Sequence, residues 1–337
     1  MRIRFLTSTP LDIRRGSGTY VGIHVLARAL ESLGHIVTYE TPRLLLPVYT
    51  AQRLIFNRQL RPSADCDLTV GFDMDGYRLE GGVASLKGVI ADEVRFEGGL
   101  TRLTMSLQAR CERQHVHRAA RVLCTSRYSA ERAREFYDLP ALPQIVPELI
   151  DLSEWRRVLA EHPAAPPDRP TVLFVGRFYR RKRVDVLLRA AAILGDRIDL
   201  RIVGNGPCRD ALHKLARDLK LSVTWLGDVT RAELAAEYNR AGVFCLPSVQ
   251  EGFGIVLLEA MAAGKRIVAA RAAALPEVAP QAEFFDPDNP EALAAALQSN
   301  RGLHPPDWVE QFDAPLVAQQ FLAAAAGARA ISAVAKP

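Results

Sequence analysis

The run Ser248-Val-Gln-Glu-Gly-Phe-Gly-Ile-Val-Leu-Leu-Glu-Ala-Met-Ala-Ala-Gly264 follows a segment, residues 243–247, that reads as a buried strand. The chain turns on Gly252 and Gly254, then enters a helix on which Ile255, Leu258, Met261 and Ala262 recur at helical spacing. Strand, glycine loop and helix in this order outline a phosphate site. The first amides of a helix have no partner inside it, and the helix dipole places partial positive charge there, so the amides of Phe253, Gly254 and Ile255 are placed to receive a phosphate. Glu251 lies on the loop and Glu259 in the helix. Carboxylates repel phosphate, so their natural partners are hydroxyl groups of the same ligand. A plainer reading stays open for this stretch alone: a glycine turn that opens a core helix, with Glu251 solvated and Glu259 on the polar face.

Outward from this run, strand and helix patterns alternate. Residues 3–8, 36–40, 68–71, 89–91 and 122–125 read as strands, with helices over 19–33, 101–118 and 127–137. Residues 146–155 read as a passage and the proline-rich 162–170 as linker. The alternation then resumes, with strands at 171–175, 200–203, 223–226, 243–247 and 267–270 and helices at 184–194, 208–219, 231–241 and 289–298. Such a pattern predicts α/β architecture with doubly wound parallel sheets, and 337 residues suit two domains. The expected division is 1–150, a linker at 151–169, 170–305, and a closing segment 306–337 with a helix over 308–326.

A second cluster follows the strand at 171–175, in Gly176-Arg-Phe-Tyr-Arg-Arg-Lys182. A guanidinium holds two phosphate oxygens at once while an ammonium adds a point charge, so Arg177 and Lys182 suit the stabilisation of a departing diphosphate. Arg180, Arg181 and Arg183 fit a solvated loop.

Together these motifs resemble a family. Glu251-Gly-Phe-Gly-Ile-Val-Leu-Leu-Glu259-Ala resembles the E-x7-E signature of retaining GT-B glycosyltransferases of the GT4 type, and Gly176 to Lys182 is similar to that family's G-R-x4-K. Gly204-Asn-Gly206-Pro and Gly227-Asp-Val229 resemble its loops around the nucleoside. The resemblance spans nearly the whole chain and is strongest over 176–277. It implies a GT-B fold, two Rossmann-like doubly wound domains facing each other across a cleft. Residues 1–150 would bind the acceptor, 170–305 the nucleotide-sugar donor, and the closing helix would cross back to the first domain. It further implies that Glu251 meets the donor sugar's hydroxyls, that the amides of Phe253, Gly254 and Ile255 hold the diphosphate with Ser248 beside it, and that Glu259 binds the ribose. Arg177 and Lys182 would stabilise the leaving group, Gly204, Gly206 and Val229 would surround the nucleoside, and Gly16 and Gly18 would cover the donor phosphates and the acceptor. The implied reaction moves a sugar from a UDP- or GDP-linked donor, a co-substrate and not a cofactor, to an acceptor hydroxyl on a sugar, a lipid-linked glycan or a small molecule.

Departures from the family pattern are specific. Many relatives carry His-Asp after the strand expected at 89–91, whereas this chain has Ala91-Asp92-Glu93, and Asp92 is expected to substitute as an acid near the reacting sugar. Arg183 stands where the family usually has glycine. Asp65-Cys-Asp67 and Asp73-Met-Asp75 match a D-x-D metal pattern, yet the resemblance implies no metal, because cationic side chains and helix amides neutralise the diphosphate. Gly16-Ser-Gly18 is followed by Val21 where a dinucleotide fingerprint needs its third glycine, which disfavours an NAD enzyme.

Composition excludes further classes. The net charge is +5, and residues 1–150 hold 20 Lys+Arg against 16 Asp+Glu, without the dense basic stripe of a nucleic-acid binder. Residues 43–61 set Leu44, Leu45, Val48, Ile55 and Phe56 among Arg43, Arg53, Arg58 and Arg61, a pattern that would allow peripheral contact with an anionic membrane. No apolar run reaches the roughly 20 residues of a membrane span, and the first residues read as a strand, so the expected location is cytoplasmic, peripheral on the inner face of a membrane at most. Five scattered cysteines without C-x-x-C indicate neither a disulfide framework nor zinc. Two other classes stay compatible, a GT-B-fold sugar-nucleotide epimerase and a non-catalytic nucleotide-sugar-binding protein. Release of nucleoside diphosphate that depends on acceptor separates transfer from both.

Overall fold

Runs of β-branched and apolar residues that alternate with helical patterns build two parallel sheets in the computed structural model, which describes residues 1–9, 18–43, 46, 48–165 and 168–328. The chain divides into two compact units. Met1–Leu149 with the chain from Ala314 onward forms unit 1, and Ile150–Asp313 forms unit 2.

Unit 1 runs β1 (Arg2–Leu6), α1 (Gly18–Ser32), β2 (Ile36–Glu40), α2 (Tyr49–Gln59), β3 (Leu68–Phe72), β4 (Val83–Leu86), α3 (Ile90–Glu93), α4 (Gly99–Arg118), β5 (Arg121–Cys124), α5 (Arg127–Tyr137) and β6 (Gln144–Ile145). Its strands pair in the order β2-β1-β3-β4-β5-β6, all parallel. β3 and β4 are buried along their whole length, as befits strands covered on both faces. Ile23, Leu26, Ala27 and Leu30 on α1 pack with Ile3, Phe5 and Val70 of the sheet.

Unit 2 runs α6 (Leu152–Glu161), β7 (Thr171–Val175), α7 (Val184–Leu194), β8 (Asp199–Val203), α8 (Arg209–Asp218), β9 (Thr224–Gly227), α9 (Arg231–Arg240), β10 (Val243–Leu246), α10 (Ile255–Ala262), β11 (Arg266–Ala270), α11 (Leu275–Val278), β12 (Glu283–Phe285) and α12 (Pro290–Gln298). Its strand order is β12-β11-β10-β7-β8-β9, again parallel throughout. The chain then returns to unit 1 as α13 (Ala314–Ala325), whose Val317, Ala318, Phe321 and Ala325 join the core beside α1. Both sheets therefore reverse winding direction once, between β1 and β3 and between β7 and β10. Ligands of open α/β sheets bind outside the carboxyl ends of the strands at such points.

Several expectations need correction. The strand expected at 89–91 is instead β4, six residues earlier, because Gly81 and Gly82 take positive φ (83° and 69°) and turn the chain into the sheet sooner. Residues 90–93 are a helical turn, and the residues that follow the strand are Lys87-Gly88. The linker expected at 151–169 carries α6, capped by the Asp151 side chain and buried through Leu152, Trp155, Val158 and Leu159. The helix expected over 308–326 is divided: a 3-10 turn, Trp308–Phe312, stays in unit 2, and only α13 belongs to unit 1. Of the amphipathic segment 43–61, Val48, Ile55, Arg58 and Arg61 are exposed, whereas Arg53 and Phe56 turn inward. Arg53 and Phe56 are 5% and 3% exposed, and Leu44 and Leu45 lie outside the described residues.

Candidate functional site

The loops after β7 and β10 flank the winding reversal of unit 2, and they carry Arg177, Lys182, Ser248 and Glu251. Val249 N–H donates to the Arg181 carbonyl at 2.9 Å, and the Lys182 ammonium donates to Glu251 Oε1 at 2.5 Å. Both side chains of that ion pair are largely buried. Arg177, half-buried on the same loop, has no hydrogen-bond or ion-pair partner among the described residues. Ser248 is fully buried, yet its hydroxyl has no partner either.

Beside these side chains the backbone is shaped for close approach. Gly254 caps α10 at φ +91°, a left-handed conformation that costs glycine nothing and other residues strain. No side chain caps the helix and no acid occupies its first turn. The amides of Phe253, Gly254 and Ile255 have no partner among the described residues, so three consecutive N–H groups are available to an anion. The Phe253 ring does not face a ligand. It is 4% exposed and packs edge-on against Phe312, with ring centroids 5.5 Å apart.

The loop after β8 has a mechanical role that sequence did not reveal. A Cβ on Gly204, at φ +124°, would stand 2.0 Å from the Gly176 carbonyl oxygen, and one on Gly206 would stand 2.5 Å from the Phe178 nitrogen. Phe178 N–H donates to the Asn205 carbonyl, and Gly204 N–H to that of Gly227. These glycines let the loops after β7, β8 and β9 lie backbone against backbone, and so fix where Arg177 begins. Val229 follows β9, half-buried.

Glu259 sits apart from Glu251 in its contacts. Its carboxylate accepts the Tyr238 hydroxyl at 3.0 Å, and its carbonyl accepts the Trp155 indole N–H at 3.1 Å. Burial raises its pKa, with Arg231 opposing. Arg231 itself lies 4.8 Å over the Trp155 ring. Tyr238, Arg231 and Trp155 are supporting residues missed in the sequence. The Leu152, Trp155, Val158, Leu159 spacing was a helical signal that the prolines after it obscured.

Candidates in unit 1 are disposed differently. Asp92 is fully buried and both its oxygens are engaged, Oδ1 by Arg95 at 3.0 Å and Oδ2 by the Tyr128 hydroxyl at 2.6 Å. Its expected place at a strand end is replaced by the turn of α3, and its contacts are those of a structural carboxylate. At the end of β4 stands Lys87, whose ammonium pairs with Glu148 at 3.0 Å, each side chain 7% exposed. The Lys87 amide donates to Asp73 Oδ1. Burial raises Asp73 to about 6, with Arg53 opposing. Asp75 accepts from Ser8, Asn57 and Arg53, and so serves as the hub of a buried network. Gly18 opens α1, and Gly16 lies outside the described residues. Among the described residues, no group of three or more His, Cys, Asp or Glu is gathered to hold a metal ion.

Residues 156–300 match the family of glycosyl transferases group 1. D-inositol 3-phosphate glycosyltransferase 2 of Catenulispora acidiphila is 35% identical over 184 residues, 49% of this chain and 43% of that protein. The GDP-mannose-dependent alpha-(1-6)-phosphatidylinositol monomannoside mannosyltransferase of Mycobacterium tuberculosis is 39% identical over 122 residues, 33% of this chain and 32% of that protein. This chain thus matches less than half the length of these relatives. Among solved structures, sucrose-phosphate synthase from Thermosynechococcus elongatus has the same fold, with a TM-score of 0.75 at 20% identity over 95% of this chain and 97% of that one.

Proposed function

We propose, from the premise that residues 156–300 are a glycosyl transferases group 1 domain in a chain of GT-B fold, that this protein transfers a sugar from a nucleoside-diphosphate donor to an acceptor hydroxyl. One observation carries the reading. Loops on both sides of the winding reversal in unit 2 are tied together through Val249 and Lys182, and they leave an unpartnered guanidinium at Arg177, an unpartnered hydroxyl at Ser248 and three open amides at Phe253 to Ile255. A diphosphate satisfies all of them.

In this reading the α10 amides and Arg177 take the diphosphate oxygens, Ser248 donates to one of them, and Glu251 accepts from hydroxyls of the donor sugar. Glu259 receives the ribose beside Tyr238, and Gly204, Gly206 and Val229 border the base. The bond between the anomeric carbon and the diphosphate oxygen breaks, the acceptor oxygen bonds to that carbon on the same face, and the acceptor's proton leaves with the diphosphate. Stereochemistry is retained. Negative charge gathers on the leaving oxygens, and Arg177 and Lys182 stabilise it without reorganising. The donor base is uracil or guanine and no metal takes part. The acceptor, a sugar, a lipid-linked glycan or a small molecule, is bound by unit 1.

Thermal stabilisation by UDP, GDP and their sugars without added metal tests the donor half, since a ligand of the folded state raises its stability by mass action. One nucleotide class is expected to stabilise the protein and to lose that effect in Arg177→Ala and Lys182→Ala. Release of nucleoside diphosphate on adding acceptor tests the transfer half, with losses of roughly 100- to 1,000-fold in kcat for Lys182→Ala. No stabilisation by any nucleotide sinks the proposal.

A further inference from the structure

We propose that Arg231, the first residue of α9, is a positioning residue of the donor site that acts through Glu259 and makes nucleotide binding depend on the ribose hydroxyls. This role rests on the proposed function, in which Glu259 receives the ribose. Arg231, Ala235 and Tyr238 recur at helical spacing and so share one face of α9. Thr230 and Glu233 close a capping box around the first turn, which fixes the point from which the Arg231 side chain departs. Its guanidinium lies 4.8 Å over the Trp155 ring. Trp155 in turn meets Tyr238 edge-on, with ring centroids 5.7 Å apart, and donates its indole N–H to the Glu259 carbonyl. Arg231 makes no hydrogen bond among the described residues, its buried Nε included. It is a cation fixed on an aromatic face beside a buried carboxylate.

Two hydrogen-bond arrangements compete at Glu259. The Tyr238 hydroxyl has a single proton, and it stands 3.0 Å from Glu259 Oε2 and 3.1 Å from the Val256 carbonyl. With Glu259 ionised, Tyr238 donates to it. With Glu259 protonated, the carboxyl donates to Tyr238, and Tyr238 donates to Val256. Both arrangements use every donor, but they offer a ligand different things. An ionised carboxylate only accepts and can take both protons of the ribose diol, whereas a protonated one is itself a donor. Burial favours the protonated form, and Arg231 is the cation that opposes it. The acid paired with Arg231 is Glu154, 4.0 Å from Nε and a third exposed, so water screens it more than it screens Glu259. Other charges on the elements around α10 are engaged elsewhere: Arg156 with Glu310, Arg157 with Glu161, Glu237 with Arg201, Lys265 with the Asn239 carbonyl and Arg266 with that of Leu297.

Calorimetric titration of the full chain with UDP and GDP, each beside its dideoxy form lacking both ribose hydroxyls, tests this across a range of pH. The parent should bind the ribonucleotide more tightly than the dideoxy form. Arg231→Met keeps an unbranched stem on Trp155 and removes the charge. It should weaken the ribonucleotide roughly tenfold at neutral pH and leave the dideoxy form unchanged. Affinity for the ribonucleotide falls as pH drops and Glu259 takes up its proton, so in Arg231→Met the fall should begin at higher pH than in the parent and be recovered by raising the pH. Arg231→Lys should restore most of the discrimination. Arg231→Gln, a second neutral variant of different shape, should repeat the loss and guards against a packing defect. Arg217→Met, at an exposed arginine of α8, should change nothing. Melting temperatures check that each variant is folded. A parent that binds ribonucleotide and dideoxy form alike, a neutral variant that weakens both equally, or pH profiles that coincide for parent and variant overturn the role of Arg231 and leave the donor site standing. A parent that binds neither UDP nor GDP sinks the donor site and this role with it.

Discussion

At the carboxyl ends of its sheet, unit 2 ties the backbone and, apart from the Lys182–Glu251 pair, leaves the Arg177 guanidinium and the Ser248 hydroxyl open, whereas unit 1 ties the side chains to each other. In unit 2 the loops are joined by Val249 to Arg181, Phe178 to Asn205 and Gly204 to Gly227, all main-chain bonds, while Arg177 and the Ser248 hydroxyl remain without partners among the described residues. In unit 1, Asp75, Lys87, Glu148 and Asp92 are all buried or nearly so and all engaged. The contrast separates two ways of preorganising a site. A rigid main chain that leaves one guanidinium free suits one ligand class, such as a diphosphate, whose charge pattern is fixed. A prewired side-chain network instead holds the shape of a surface and supplies contacts from its rim.

The largest effect that would break this contrast concerns Lys87. Removing one partner of a buried ion pair leaves the other charge without compensation, so Lys87→Ala should cost unit 1 about 3–5 kcal/mol. Lys87→Met together with Glu148→Leu should restore most of that stability, since matched apolar replacements of buried pairs are often neutral. Urea unfolding of the three proteins measures it. A Lys87→Ala variant as stable as the parent would mean that the pair is not prewired, and that unit 1 resembles unit 2.

Gly204→Ala comes next and probes the backbone side of the comparison. The added methyl meets the Gly176 carbonyl at 2.0 Å, and φ +124° is strained for alanine, so about 3 kcal/mol of destabilisation is expected in unit 2. Nucleotide-dependent stabilisation should fall with it, because the strand end that launches Arg177 must shift. Arg177→Ala provides the opposite case: with no partner to lose, it should leave the melting temperature nearly unchanged while removing the nucleotide effect.

This difference also explains which parts were legible in the sequence. Glycines and cations at fixed local spacing make Gly176 to Lys182 and Glu251 to Glu259 visible as local motifs, and α5 and α7 fall on the residues that periodicity predicts. The network in unit 1 joins Ser8 to Arg53, Asn57 and Asp75, and Lys87 to Glu148. Separations of that length leave no local pattern. β4 was misplaced because Val83–Leu86 is only four residues long and follows two glycines that read as a loop. Gly22 carries the same lesson: its Cβ would stand 2.3 Å from Glu148, a constraint invisible until residues 22 and 148 meet.

A smaller effect follows from Asp73. Burial raises its pKa from 3.8 to about 6 in the folded protein, so in that window the folded state holds a proton that the unfolded chain has already released. Unfolding stability must therefore fall as pH rises from about 4 to about 6 and level off above. Glu112, also raised by burial, adds to the same trend. Asp73→Asn keeps the acceptor for the Lys87 amide and removes the titration, so its urea midpoint should depend less on pH across that range. Parallel pH profiles for parent and variant would show that Asp73 does not titrate there.

The smallest effect is at Arg183, where the resemblance leads to an expectation of glycine. Arg183 takes the left-handed conformation, φ 50° and ψ 37°, at the start of α7, which accounts for a glycine preference at this position. Its guanidinium pairs with Asp288 at 2.5 Å, on a half-exposed surface where such a pair contributes at most about 1 kcal/mol. Arg183→Gly relieves roughly 1 kcal/mol of backbone strain and gives up that pair together with some unfolded-state restriction, so the net change should lie within about 1 kcal/mol of zero. Asp288→Ala separates the terms, since it deletes the pair and keeps the strain. If Arg183→Gly destabilises by several kcal/mol while Asp288→Ala does not, the arginine stem is packing against unit 2 as core, and the open-loop description of the residues after β7 would have to stop at Lys182.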